Sequence, residues 1–432
     1  MEGLPDSEEA APVGVTGEPD RSTSADRSGR NTAVLVGFTA ITNLADGVTK
    51  VVLPLMAARL TDSPAQVAGV GLALTLPWLL IALHVGVLVD RFDRRKLLWL
   101  ADGARMLVVL VLLALVADNA VTIPALCVAG LALGVAEVVA LTSAATLVPS
   151  AVAPAGHERA NAWLAGAETV CNEFCGPFVG GLLIAAGAGV ALGWVGAGYL
   201  LGTLILAFLV GRFQPTAETT APSGSVNQSI AEGVRGLWHQ PLLRLMALAL
   251  TVLCACWGAW LALIPLVATQ LMDLEPGQYG ILLSALGAGG LVGALTVTTI
   301  NRLLGRRWSM FADLVGTAAM VAAPVFTTSL WIVGTGAFLG GMGGVLWTVN
   351  SRTISQRLIH PGMLGRYNAA ARLFSWGAMP LGAALVGVLA QWLGMRTAFA
   401  LFAVAALATI VPFLKTATHA ALAEAGPPGA TA

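Results

Sequence analysis

The chain has 432 residues, 57% hydrophobic and only 11% charged, with zero formal net charge and a mean hydropathy of +0.81. A soluble chain carries about 25% charged residues, so two or three soluble domains are excluded. The balanced charge, without a basic patch interleaved with aromatics, excludes nucleic acid as a partner.

Residues 1–32 are rich in Glu, Asp, Ser, Gly and Pro. They lack the apolar core of a signal peptide and read as a disordered cytoplasmic tail. Apolar periods then predict twelve spans: 33–57, 66–89, 97–117, 121–147, 160–187, 189–211, 242–271, 278–300, 308–327, 329–351, 366–393 and 396–415. The runs Leu245 to Met272, Pro276 to Ile300, Leu373 to Leu393 and Thr397 to Leu414 contain no charge at all. Each is near or above the roughly 18–20 residues that a helix needs to cross a bilayer. The one long polar break divides the chain into a first half, 33–212, a cytoplasmic loop, 213–240, and a second half, 241–415. A tail of mostly small residues, 416–432, follows. The predicted fold is therefore an all-α, multi-pass membrane protein of two six-helix halves.

Lys50, Arg105 and Arg372 lie within spans, and Arg59 and Arg396 in odd-to-even turns; the other Lys and Arg residues cluster at the opposite ends of the spans and in the tails. Basic residues favour the cytoplasmic side, so both termini are placed there, in the cell membrane. The same side holds the turn between spans two and three, where Asp90, Arg91, Asp93, Arg94, Arg95 and Lys96 fall within seven positions.

The halves repeat. Gly86, Asp90-Arg91 and Arg94-Arg95 precede Ala101-Asp102, as Gly293, Asn301-Arg302 and Arg306-Arg307 precede Ala312-Asp313. Arg159, Asn161 and Ala162 lead to Pro177 and Gly180, as Arg366, Asn368 and Ala369 lead to Pro380 and Gly382. Repeated six-helix halves are the architecture of transporters that rock about a central site.

At these residues the chain resembles the major facilitator superfamily. GVLVDRFDRRK, Gly86 to Lys96, is similar to the signature of its turn between spans two and three, with Asp93 in place of a glycine. Asp-Arg-x-Asp-Arg-Arg and the stretch Arg366 to Gly382 resemble the branch of macrolide-efflux proteins and enterobactin exporters. The resemblance implies a conformational latch formed by Gly86, Asp90, Arg91, Arg94 and Arg95. GPFVGG, Gly176 to Gly181, is similar to half of the exporter motif of span five. It implies an exporter-type helix bend at Gly176, Pro177, Gly180 and Gly181, although Asn172 stands where that motif has a further glycine. The family's span-four arginine is absent; that span carries Glu137 instead.

Charge inside a span is costly and marks a cavity or a partner. The proton-coupling candidates are Glu137 first, then Asp46, Glu173 and Glu168. Asp46 and Lys50 share a helix face by their i, i+4 spacing. They form a static ion pair, or Asp46 binds a proton that Lys50 tunes; both readings stay open. Asp102 and Arg105 are expected to join the charged turn's network. Trp257, Trp260, Trp347 and Trp376 are substrate-cavity candidates, with helix packing or interfacial anchoring as the alternative. Cys127, Cys171, Cys175, Cys254 and Cys256 read as packing residues, so no metal is expected, and no cofactor either.

The expected function is secondary export of a small amphipathic compound such as an antibiotic or siderophore, by proton antiport and alternating access, in a monomer. No Walker-type phosphate loop is present to supply another drive. The alternatives are a proton-coupled uptake permease and, in another class, a membrane enzyme or a non-transporting sensor. The scattered histidines, at 84, 157, 239, 360 and 419, count against an enzyme.

Overall fold

The computed structural model describes residues 21–81, 84–85, 88–89, 92–153, 156–211, 234–235, 237–359, 367, 371 and 374–418. Gly86, Asp90, Arg91, Arg366 and Arg372 lie outside the described residues, as do most of the central loop and both outer ends of the tails.

The described residues are helical throughout, joined by tight turns. The first half contains α1 (Arg21–Leu60), α2 (Pro64–Leu80), α3 (Arg94–Ala117), α4 (Ile123–Ala151), α5 and α6 (Ala188–Leu206). α5 is made of three consecutive segments, His157–Glu168, Thr169–Cys175 and Gly176–Ala186. The second half contains α7 (Pro241–Gln270), the 51-residue helical stretch Pro276–Phe326, α10 (Leu330–Leu358), α11 (Ala378–Leu393) and α12 (Met395–Ala408, continued by Ile410–Thr416). Among the described residues nine helices are long and apolar enough to cross a membrane, and α2 and α11 are shorter apolar helices.

The stretch Pro276–Phe326 is not one rod. A straight helix of that length would run about 77 Å, against a hydrocarbon core of about 30 Å. Gly305 breaks it with φ 78 and ψ 160, a left-handed conformation that glycine adopts at little cost. The two arms, α8 (276–304) and α9 (306–326), both pack on α10. In α10, Gly341 packs on Leu286 of α8, while Gly343 packs on Asp313 of α9.

Caps fix where several helices start. Ser63 accepts from the Gln66 N–H at 3.4 Å to open α2, and Thr122 accepts from the Ala125 N–H at 3.4 Å to open α4. Asp93 opens α3, accepting from the N–H groups of Arg95 at 2.9 Å and Lys96 at 3.3 Å. Its side chain satisfies donors that the helix itself leaves unpaired. α1 starts at Arg21 instead of residue 33. One anchor for this early start is Asn31, whose amide donates to the carbonyls of Ala151 and Val210, both at 2.9 Å.

The outer surface is apolar. Leu295, Phe326, Trp331 and Trp392 are 75%, 85%, 77% and 82% exposed, as lipid contact requires of side chains facing away from the core.

The two faces of the bundle differ. On the face away from the termini, contacts run between the halves. Ser63 donates to Gln391 Oε1 at 2.8 Å, and Gln270 Nε2 donates to Asp62 at 2.7 Å. A Cβ on Gly181 of α5 would lie 2.8 Å from the Gly280 Cα of α8, so only glycine allows those backbones to touch. Deeper in, Trp78 of α2 stacks on Trp376 at 5.0 Å. On the terminal face, three arginines bond within their own half. Arg94 donates to Ser150 at 3.2 Å, Arg95 to the Ala207 carbonyl at 3.0 Å, and Arg307 to the Leu414 carbonyl at 3.0 Å. The bundle is thus sealed on the face away from its termini.

Candidate functional site

Two polar clusters lie in the first half, one turn of α1 apart. The deeper one is an ion network. Arg105 of α3 donates through Nη2 to Asp46 of α1 at 3.0 Å and through Nη1 to Asp102 at 3.1 Å. Tyr199 of α6 donates to the other Asp46 oxygen at 2.8 Å, and the Arg105 guanidinium lies 5.3 Å from the Tyr199 ring centre. Arg105 is 1% exposed and Asp102 fully buried. The planar guanidinium serves two carboxylates at once, which an ammonium at one point would not. Asp90 and Arg91 of the charged turn lie outside the described residues. Among the described residues Arg105 bonds to Asp102 and to Asp46. Asp46 bonds to Arg105 and Tyr199 and not to Lys50, so of the two sequence readings the static ion pair does not form. The reason is tertiary: α3 and α6 pack against α1 at the depth of Asp46.

The second cluster surrounds Lys50. Its Nζ donates to Asn172 Oδ1 at 2.7 Å and stands 3.8 Å from Glu137 Oε1 of α4. Asn172 in turn donates to Asn43 at 3.0 Å. Of the four carboxylates singled out in the sequence, Glu137 is the one brought into ion-pair range of Lys50, while Asp46 is held by Arg105 and Tyr199. Glu137 has 14% of its side chain exposed and Lys50 43%. Glu168 and Glu173 are exposed.

Asn172 sits in Thr169–Cys175, a turn of π-helix in the middle of α5. Gly176 N–H donates back to the Cys171 carbonyl, one residue farther than in an α-helix. Such wide turns are frequent at functional sites. Gly176, Pro177, Gly180 and Gly181 follow directly and are all buried. A Cβ on Gly176 would lie 2.6 Å from the Gly47 Cα of α1. α5 is therefore gripped between α1 on one side and α8 of the other half on the other. Ser284 of α8 donates to the Phe174 carbonyl at 3.0 Å, so the π-turn itself borders the junction of the halves.

The tryptophans separate into two groups. Trp260 and Trp347 are fully packed, 0% and 1% exposed, with Trp347 6.1 Å from the Phe413 ring. They offer no face to a ligand in this conformation. Trp376 is exposed on one side and stacked on Trp78 on the other. Trp257 is half-buried and donates to Thr317 at 3.4 Å. Asn43, Asn172, Tyr199 and Thr317 were not singled out as site residues in the sequence; polar side chains inside apolar spans were the signal available.

The alternation of helices, the matched halves and this buried charge are those of a transporter, and the comparison with known families is specific. Residues 31–426 match the family described as transmembrane secretion effector. The chain belongs to the transmembrane secretion effector family. These proteins are major facilitator transporters, not enzymes. Among curated relatives, the multidrug efflux pump Tap of Mycobacterium tuberculosis is 30% identical over 392 residues, covering 86% of this chain and 90% of Tap. The enterobactin exporter EntS of Escherichia coli is 29% identical over 364 residues, covering 82% of this chain and 83% of EntS. Among solved structures, a bacterial homologue of the iron transporter ferroportin in an inward-facing state superposes with a TM-score of 0.71 at 18% identity, over 90% of this chain and 99% of that one. This secretion effector is thus a multi-pass membrane transporter of the major facilitator fold, similar in sequence to efflux pumps. Among its described residues no group of three or more His, Cys, Asp or Glu could hold a metal ion.

Proposed function

We propose that this transporter is a twelve-span, proton-driven exporter of a small amphipathic compound, working as a monomer with both termini in the cytoplasm. The observation that carries the reading is Lys50, held inside the first half by Asn172 at 2.7 Å and facing Glu137 at 3.8 Å. The cluster borders the junction of the halves, beneath the sealed face. A titratable cluster there can trade a proton for a substrate as access changes sides, because either occupant alters the same charge balance.

Glu137 is the first proton carrier in this scheme, since it opposes Lys50 directly at 3.8 Å. Asp46 is a weaker candidate than its sequence position implied, because Arg105 and Tyr199 already occupy both its oxygens. Glu168 and Glu173 would guide cations to the cluster. Gly176, Pro177, Gly180 and Gly181 would set how α5 moves between α1 and α8. Gly86, Asp90, Arg91, Arg94 and Arg95 would latch the terminal face. In the conformation sealed on the far face, Arg94 and Arg95 bond within their own half, as a released latch requires.

Ethidium provides a test, as a lipophilic cation whose fluorescence reports movement. Inverted membrane vesicles carrying the protein should accumulate ethidium when energised, and a protonophore should collapse that accumulation. Accumulation in right-side-out vesicles instead would replace export with uptake, and insensitivity to the protonophore would remove proton antiport.

A further inference from the structure

The two halves treat the same aspartate differently. Asp102 and its counterpart in the repeat, Asp313, are both buried, at 0% and 2% exposure. Asp102 has Arg105 at 3.1 Å. Three residues after Asp313 the chain has Gly316. A Cβ there would meet the Leu339 carbonyl at 2.5 Å, so the packing of α9 on α10 leaves no room for an arginine.

The helix that answers α1 also lacks a countercharge. Gly258 of α7 touches Met379, as Gly47 of α1 touches Gly176, and Pro54 and Pro265 follow these glycines at the same spacing. Trp257 therefore stands where α1 has Asp46. Its Nε1 donates to Thr317 at 3.4 Å, and the Thr317 hydroxyl donates to Asp313 Oδ1 at 3.1 Å. The titratable groups near Asp313 are Cys254 and Cys256 of α7. α10 presents Gly343, where a Cβ would lie 2.6 Å from the Asp313 Cα. No ion pair involving Asp313 forms among the described residues.

A buried carboxylate with one neutral hydroxyl partner and no cation is avoided by holding a proton. We propose that Asp313 is a proton-binding site of the second half, a neutral carboxylic acid while the far face is sealed, which exchanges its proton with water only when α7 and α10 part from α9. This adds a site to the cluster at Lys50. It rests on the proton-antiport reading only for the use made of the proton.

Infrared spectroscopy of the purified protein in lipid tests it without a substrate. Wild type at neutral pH should show the carbonyl stretch of a buried carboxylic acid, and Asp313→Asn should lose it. Asp313→Glu, which keeps the acid, should move the band, and it serves if the asparagine variant does not insert. In D2O the wild-type band should shift as the proton exchanges. A Ser63→Cys/Gln391→Cys pair joined by a short bifunctional maleimide, across the seam where the native side chains hydrogen-bond, holds the far face sealed and should abolish that exchange. A band unaffected by either Asp313 substitution would overturn the site. Exchange as fast in the cross-linked protein as in the free one would overturn the gating. An exporter driven by another ion leaves both readouts as expected, so failure of proton antiport in the ethidium assay is a separate result.

Discussion

Arg105 on α3 donates to Asp46 on α1 at 3.0 Å, across 59 positions of sequence. It also holds Asp102, one turn back on its own helix. Two buried aspartates and one buried arginine thus join two spans, and Tyr199 adds a third through Asp46. Breaking a buried ion network by removing one partner leaves the others uncompensated, at a cost of about 3–5 kcal/mol.

Arg105→Ala is therefore expected to destabilise the first half by that order. Arg105→Lys should not restore it, since a single ammonium does not reproduce the two-pronged contact. Thermal unfolding of the purified protein in detergent checks both. An unchanged midpoint for the alanine variant would mean that Asp46 and Asp102 do not need the guanidinium.

Glu137→Gln removes the carboxylate that faces Lys50 at 3.8 Å but keeps the side-chain volume. It should abolish gradient-driven ethidium movement while leaving ethidium binding close to wild type. Movement that keeps its pH dependence would take Glu137 out of the coupling scheme, and Asp46→Asn would be next.

Gly181→Leu places a side chain where Gly280 already touches the backbone. The far face should no longer seal. A cysteine placed at Ser63, beside Gln391 in the closed seam, should then react with a membrane-impermeant thiol reagent faster than in the parent. Equal labelling would show that α5 and α8 accommodate the leucine by sliding.

Asp93→Ala removes the cap of α3 and should cost about 0.5–2 kcal/mol. Asp93→Asn retains an acceptor for the Arg95 and Lys96 N–H groups and should cost less. Thermal unfolding separates the two. An equal loss would mean that the negative charge, and not the cap, is the contribution of this residue.

Several features were legible in the sequence because they follow from local chemistry. Apolar runs without charge can only be spans, and the repeat of Asp90-Arg91 and Pro177 in Asn301-Arg302 and Pro380 announces two matched halves. The residue classes that would gather at the site were also visible, because a charge inside a span is expensive enough to need a reason: Asp46, Lys50, Glu137, Glu168 and Glu173. Their partners were not. Helical periodicity places Asp46 and Lys50 on one face of α1, and only the packing of α3 and α6 decides that Asp46 turns to Arg105 and Tyr199 while Lys50 turns to Asn172 and Glu137. The same holds for the tryptophans. Nothing local distinguishes Trp260 and Trp347, sealed in the core, from Trp376, which keeps an open face. Sequence spacing fixes which side chains lie on one helix face. Contacts between spans depend on helix depth and rotation, set by close glycine approaches such as Gly47 on Gly176, and those exist only once the bundle has packed.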